Sequence, residues 1–269
     1  MDVQSLGFRT DLALLQYGGT LVDDGGTHLV VRTPRLPTFF WGNFLLLGAP
    51  PPADQIDHWV HVFRAEFPDA AHVAFGIDRP GDGDLTALSD AGLAVESDIT
   101  LITTSVRPPR HGATDVGAAV GSGAVEVRPL EGDADWDQQV ELSLAGDVAP
   151  HVTREFSTGR DRGYRGLIEA GHGRWWGAFL SGRLVASLGI VGAGAGLARF
   201  QHVKTHPDHR NRGLAGTLIH RAGRDALDDL GAERLVMVAD PDYLAIRLYR
   251  SLGFVDAEPQ VGASLLPPG

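Results

Sequence analysis

One pattern occurs twice in this chain and constrains its fold more than any other feature. Residues 40–78 read FWGNFLLLGAPPPADQIDHWVHVFRAEFPDAAHVAFGID, and residues 200–240 read FQHVKTHPDHRNRGLAGTLIHRAGRDALDDLGAERLVMVAD. Both follow strand, loop, helix, strand and a closing Asp. Beyond each, a helix end is closed by glycine: Gly92 in ALSDAGLAVESD and Gly253 in LYRSLGFVDAEP. A strand, a crossover helix and a second strand build a β–α–β unit. Two such units in one chain read as a diverged internal duplication.

The stretch between the copies fits two domains. RPPRHGATDVGAAVGSG, Arg107 to Gly123, is rich in Pro and Gly and poor in large apolar residues, so it reads as a linker. The expected division is 1–106, a linker at 107–123, and 124–269. With 43% hydrophobic and 21% charged residues, each part can bury a core.

The second part opens with the alternating strand AVEVRPL and a helix around Ala134 to Ala145. A polar, arginine-rich stretch, His151 to Tyr164, leads to a helix near Arg165 to Ala170. RWWGAFL and RLVASLGIV flank Ser181-Gly182, a hairpin signal. GAGAG, Gly192 to Gly196, leads to the strand LARFQHVKT. A helix follows from about Gly213 to Leu230, and ERLVMVAD reads as a buried strand. DYLAIRLYRSLGF is an amphipathic helix with Leu244, Leu248, Tyr249 and Leu252 on one side, stopped by Gly253. An antiparallel meander feeding β–α–β makes the class α+β.

Several functions are disfavoured. The chain has no cysteine, which removes disulfides, thiolate metal sites and cysteine nucleophiles and suits a cytoplasmic location. A net charge of −11 argues against coating nucleic acid. No apolar run reaches the length of a membrane span, and MDVQSLGFRTD lacks the basic and apolar regions of a secretory signal. GAGAG opens no helix, so it reads as a hairpin rather than a dinucleotide loop. His58 and His61 with Asp57, and His202, His206 and His209, lack metal-ligand spacing, so no metal is expected. Ser181 has no nucleophile-elbow context.

Against this acidic background the cations of HPDHRNRGLAGTLIHRAG, His206 to Gly223, need a local explanation. A strand that turns into a helix presents free backbone N–H groups and the positive end of the helix dipole, a ready anion site. Gly213 allows close backbone approach, Ala215 and Gly216 keep it open, and Arg210, Arg212 and Lys204 add charge. The expected guest is a diphosphate.

Context extends that reading. Val203-Lys204-Thr205-His206-Pro207, then Arg210-Asn211-Arg212-Gly213-Leu214-Ala215, then Asp242, Ala245, Leu248, Tyr249, Gly253 and Phe254 follow one another in an order and spacing that resembles the GNAT superfamily of acyl-CoA-dependent N-acyltransferases. The resemblance spans about Glu126 to Gly262. Asp242 departs from the Asn of many members, and Ala215 replaces the second motif glycine. The resemblance implies two GNAT-like domains, each a mostly antiparallel sheet flanked by helices, with the first degenerate. It implies that the amides of Asn211 to Gly216 bind the pyrophosphate of acetyl-CoA. It implies that the strand with Val203, Lys204 and Thr205 splays from its neighbour, holds the pantetheine arm and polarises the thioester carbonyl. Tyr249 resembles the family's general acid, which protonates the departing thiolate.

The acceptor is then a small amine or a peptide amine, and a homodimer is compatible with the family. By strand alternation Arg199 and Gln201 share a face with Val203, whereas His202 points the other way. Arg199 hints at an anionic acceptor. Glu155 and His151 are candidate bases or substrate contacts. The competing readings are a non-catalytic acyl-CoA binding or sensing module and, third, a nucleic-acid binder.

The first copy marks the same site by what it lacks. Ala49-Pro50-Pro51-Pro52 stands where the second copy has its glycine and cations, and proline has no N–H to donate. Leu88 stands four before Gly92, where the second copy has Tyr249. A degenerate domain of this kind can shape the acceptor cleft, pin the two domains or form a dimer surface. FFWGNF, Phe39 to Phe44, is expected to be mostly core packing.

Overall fold

The computed structural model describes residues 1–37, 39–110, 125–146 and 152–266. In chain order the first half contains α1 (Leu6–Tyr17), β1 (Leu21–Asp24), β2 (His28–Arg32), β3 (Phe44–Leu47), α2 (Ile56–Glu66), β4 (Val73–Ile77), α3 (Thr86–Asp90) and β5 (Ala94–Thr103). The second half contains β6 (Val125–Pro129), α4 (Gly132–Leu144), α5 (Arg154–Glu169), β7 (Gly173–Leu180), β8 (Arg183–Gly194) and β9 (Leu197–Thr205). It ends with α6 (Leu214–Asp228), β10 (Arg234–Ala239), α7 (Ala245–Ser251) and β11 (Val255–Leu265). The class is α+β.

Two compact units result, and neither is contiguous in sequence. Unit 1 is Met1–Thr100 with Val238–Tyr243 and Asp256–Gly269; unit 2 is Leu101–Met237 with Leu244–Val255. Most of the expected linker, 111–123, lies outside the described residues. Its first residue does not hang free: the Arg107 N–H donates to the Leu252 carbonyl at 2.9 Å.

Unit 1 orders its strands β1-β2-β3-β4-β11-β5. β3 and β4 pair in parallel, and β11 runs antiparallel beside β4, with Val261 opposite Ile77 and Leu265 opposite Val73. Every residue of β3 and β4 is buried, as the apolar runs FLLL and VAFGI require of a parallel pair covered on both faces. Phe8, Phe44, Phe63 and Phe75 fill this core. Asp78, at the end of β4, accepts the Gln4 and Ser5 N–H groups at 2.8–3.0 Å, fixing the entry to α1. Of FFWGNF, Phe44 is core and Trp41 packs against it, as the aromatic run led one to expect.

Unit 2 orders its strands β10-β9-β8-β7-β6. β6 to β9 form an antiparallel meander, and β10 returns parallel to β9 through α6. Ser181 and Gly182, both with positive φ, make the tight hairpin between β7 and β8. Gly194, Ala195 and Gly196, also at positive φ, make the next one, as a hairpin reading of GAGAG requires. Neighbouring tryptophans divide the sheet's two faces. Trp175 meets Trp136 of α4 and Tyr164 of α5, whereas Trp176 lies under the Arg221 guanidinium of α6. Both units thus contain a parallel β–α–β crossover at corresponding places: β3-α2-β4 and β9-α6-β10.

One helix is longer than the sequence pattern suggested. α5 starts at Arg154 rather than near 165, capped by the Thr153 hydroxyl, which accepts from the Phe156 N–H at 3.2 Å. Gly159, Gly163 and Gly166 hide its periodicity. The helix is held by tertiary packing of its buried face, Ser157, Asp161 and Leu167, rather than by propensity.

Candidate active site

The turn between β9 and α6 is built to leave its amides open. Asn211 and Gly213 both take positive φ, at 59° and 71°, with Arg212 between them. The first hydrogen bond of α6 runs from the Thr217 N–H to the Gly213 carbonyl at 3.0 Å. Gly213 is the N-cap and supplies no side-chain acceptor. The N–H groups of Asn211, Arg212, Gly213, Leu214, Ala215 and Gly216 therefore have no acceptor among the described residues. Alternating conformations of this kind turn successive amides into one concavity, and the helix dipole adds positive potential. Arg210 is exposed, and among the described residues Arg212 reaches only the His209 ring, at 3.4 Å.

The neighbouring strands diverge at the same end. β9 and β10 pair only at Leu197–Arg234, Ala198–Leu235 and Arg199–Val236. Beyond Arg199 the β10-facing edge of β9, through Val203, Lys204 and Thr205, has no ladder with β10, while its other edge stays paired to β8 as far as Thr205. A strand with one unpaired edge offers N–H and C=O groups to an extended ligand.

The register of β9 against β8 slips between Gly189–Gln201 and Ser187–Lys204, and His202 sits in that bulge with φ of 47°. This overturns the alternation argument for His202. A bulge adds a residue and re-aims its side chain. As a result Tyr164 of α5 touches two consecutive residues: its hydroxyl donates to Gln201 Oε1 at 3.2 Å and lies 3.1 Å from His202 Nε2. The His202 ring stacks on Trp175, with centroids 6.3 Å apart. His202 is exposed to solvent, yet protein packs around its ring through Tyr164 and Trp175. That enclosure, with Arg160 and Lys204 adding like charge, pushes its pKa down to about 3, so the imidazole is neutral near pH 7.

A buried polar network lies nearby, on α4, α5 and β8. Asp161, 2% exposed, accepts from Arg160 Nε and Nη2 at 3.1 and 3.0 Å and from the Ser143 hydroxyl at 3.1 Å. Gln139 joins Ser143 to Ser187 of β8. Burial raises the Asp161 pKa against the pull of Arg160, Ser143 and Gln139. Lys204 donates to the Ser143 carbonyl at 2.5 Å, and burial, with Arg160 and Arg210 nearby, lowers its pKa. Among the described residues no group of three or more His, Asp or Glu could hold a metal ion.

Residues 171–256, which hold this turn, the diverging strands and α7, match the model of the acetyltransferase (GNAT) domain family. Over these residues the chain is similar to a GNAT domain. The fold extends the likeness over nearly the whole chain. A conserved protein of unknown function from Staphylococcus epidermidis superposes with TM-score 0.70 at 12% identity, over 91% of this chain and 93% of that one. A GCN5-related N-acetyltransferase from Kribbella flavida gives TM-score 0.64 at 15% identity, over 98% and 97%. A tandem GNAT protein from the clavulanic acid biosynthesis pathway gives 0.56 at 13% identity, over 95% and 88%. No curated protein matches the sequence. The GNAT fold supports acyl transfer as the general chemistry.

The remaining residues singled out from sequence fall in different places. Tyr249, 6% exposed, lies on α7 four residues before Gly253, whose φ is 101°. Asp242 precedes α7 without capping it; its N–H instead donates to the Asp240 carboxylate at 2.8 Å. Arg199 is buried at 7% exposure, before the bulge. Glu155 is exposed in the first turn of α5, and His151 lies outside the described residues. Tyr164, Arg160 and His202 were missed as partners. The i, i+4 relation of Arg160 and Tyr164 is visible only once α5 is known to start at Arg154, and no residue type announces the bulge at His202.

Proposed function

We propose that the protein transfers an acetyl group from acetyl-CoA to a primary amine. The observation that carries this is the run of open amides from Asn211 to Gly216 at the head of α6, in a domain of GNAT fold. These amides suit the pyrophosphate, with Gly213 admitting it and Arg210 and Arg212 assisting. The unpaired edge of β9 at Val203, Lys204 and Thr205 suits the pantetheine arm. The amine nitrogen attacks the thioester carbonyl carbon, and charge grows on the carbonyl oxygen, where a fixed backbone N–H of this edge favours the transition state. As the intermediate collapses the C–S bond breaks, and the sulfur takes a proton from the Tyr249 hydroxyl. The proton lost by the amine passes to water. Gln201 sits on the acceptor side, and Glu155 is a weaker candidate there.

The first unit fits a degenerate copy of this domain. Its equivalent turn is Pro50-Pro51-Pro52, and α2 starts from an uncapped Gln55. The test is thiol release from acetyl-CoA over a broad amine panel. Saturable CoA binding with no release from any amine would replace this reading with a CoA-sensing module. Displacement of CoA by an oligonucleotide would favour the nucleic-acid reading.

A further inference from the structure

The acceptor side of unit 2 holds more positive charge than its own carboxylates neutralise. Phe156, Arg160 and Tyr164 stand at i, i+4 and i+8 on α5 and form one half-buried stripe. The lower end of the stripe is the Tyr164–His202 contact. One turn away, the Arg160 guanidinium lies 5.8 Å from the Phe156 ring, and its side chain is 14% exposed. Its Nε and Nη2 are spent on Asp161 and Ser143, which fixes the plane of the group. Its Nη1 has no partner among the described residues. Lys204 approaches the same point from β9: Lys204 Nζ and Arg160 Nη2 both bond Ser143, one at the carbonyl and the other at the hydroxyl.

The charges do not balance here. Arg160 and Lys204 both act on His202, and Arg210 also acts on Lys204. Asp161 is the only carboxylate bonded to this cluster among the described residues, and its burial works against its own charge. Partly desolvated cations gain most when an anion joins them, and a pre-fixed guanidinium is the best receiver of a planar or tetrahedral oxyanion. The pyrophosphate loop does not account for Arg160. Arg160 sits on the helix that packs on the Trp175 face, whereas α6 packs on the Trp176 face.

We propose that the acceptor amine carries an anionic group, carboxylate or phosphate, which Arg160 receives through Nη1 with help from Lys204. The inference rests on the acyl-transfer reading. The amine then lies against Gln201, His202 and Tyr164, about one helical turn, ~5.4 Å, from the anion. That spacing suits a short amino acid or phosphorylated amine whose charged ends are a few bonds apart.

The experiment measures thiol release from acetyl-CoA for matched amine pairs. These are β-alanine with 3-aminopropanamide, 4-aminobutyrate with butylamine, and phosphoethanolamine with ethanolamine. They are run on the full chain and on Arg160→Gln and Arg160→Lys. The anionic member should lead in kcat/KM through a lower KM, and the leading pair tells carboxylate from phosphate. Arg160→Gln should cut that member's kcat/KM by about 10- to 100-fold, leave its neutral twin within about threefold, and spare CoA affinity. Arg160→Lys should restore part of the loss. Equal rates for both members of every pair, or an equal loss of both in Arg160→Gln, would overturn the proposal while leaving acyl transfer standing. No release from any amine, with CoA still bound, would overturn both.

Discussion

The claim that backbone, not arginine, holds the phosphate can be tested with a proline at residue 215. Ala215 is the second residue of α6, and its N–H has no acceptor among the described residues. The helix's own hydrogen bonds begin at Thr217. A proline ring at 215 therefore breaks no helix bond, and residue 211, four earlier, lies outside the helix, so the ring meets no helical carbonyl. If a pyrophosphate oxygen takes this N–H, Ala215→Pro removes a hydrogen bond to a charged group, worth about 1.5–3 kcal/mol. That corresponds to roughly 10- to 100-fold in the Kd for CoA. Arg210→Ala removes an exposed charge whose contact with the Thr205 carbonyl stretches to 3.5 Å. An exposed pair of this kind is worth at most about 1 kcal/mol, roughly fivefold. Calorimetric titration with CoA should thus show the proline as the larger loss, with both variants melting near the parent. The arginine effect should shrink at ~0.5 M salt as the Debye length falls, and the proline effect should persist. If Arg210→Ala weakens CoA more than Ala215→Pro, the reasoning about open amides is wrong.

Three further outcomes are expected. Tyr249→Phe should slow turnover by about 100-fold or more with CoA affinity unchanged, as removal of a general acid requires; an unchanged kcat removes Tyr249 from the chemistry. Gly189→Ala should destabilise by about 1–3 kcal/mol in urea unfolding, because the new methyl would sit 2.5 Å from the buried Trp175 ring, which has no room to retreat. His202→Asn should flatten the loss of stability at acid pH. The folded protein holds this imidazole at about 3 against an ordinary 6.5. Between those values the unfolded chain binds a proton that the folded chain refuses, so stability present at pH 7 is lost as pH falls. Urea midpoints at about pH 7 and pH 4.5 give the slope, and an unaltered slope in the variant removes His202 as a contributor.

What the sequence disclosed and what it hid follow a physical line. β3-α2-β4 and β9-α6-β10 were legible because buried parallel strands and an amphipathic helix write themselves as local runs and periods. The open amides at 211–216 were legible for a related reason: Gly213 and the residues around it define a local backbone shape. The bulge at His202 was not legible, since a bulge is a mismatch between two strands and belongs to neither alone. Arg160 was hidden by the glycines of α5, which dilute a pattern that tertiary packing restores. Nothing in VDAEPQVGASL states which sheet it joins, because strand pairing is non-local.

That last strand sets the order in which the protein can be made. β11 contributes Val261 and Ala263 to the core that Phe8, Phe44 and Phe75 begin. During synthesis the first unit must therefore wait with the β11-facing edge of β4 uncovered while the ribosome adds the whole second unit. The wait is a hazard, since an uncovered apolar edge is a template for pairing with other chains. Completion of the amino-terminal core thus follows synthesis of the second unit, and a ribosome that stalls before β11 leaves the second unit with all its own strands and the first without this one.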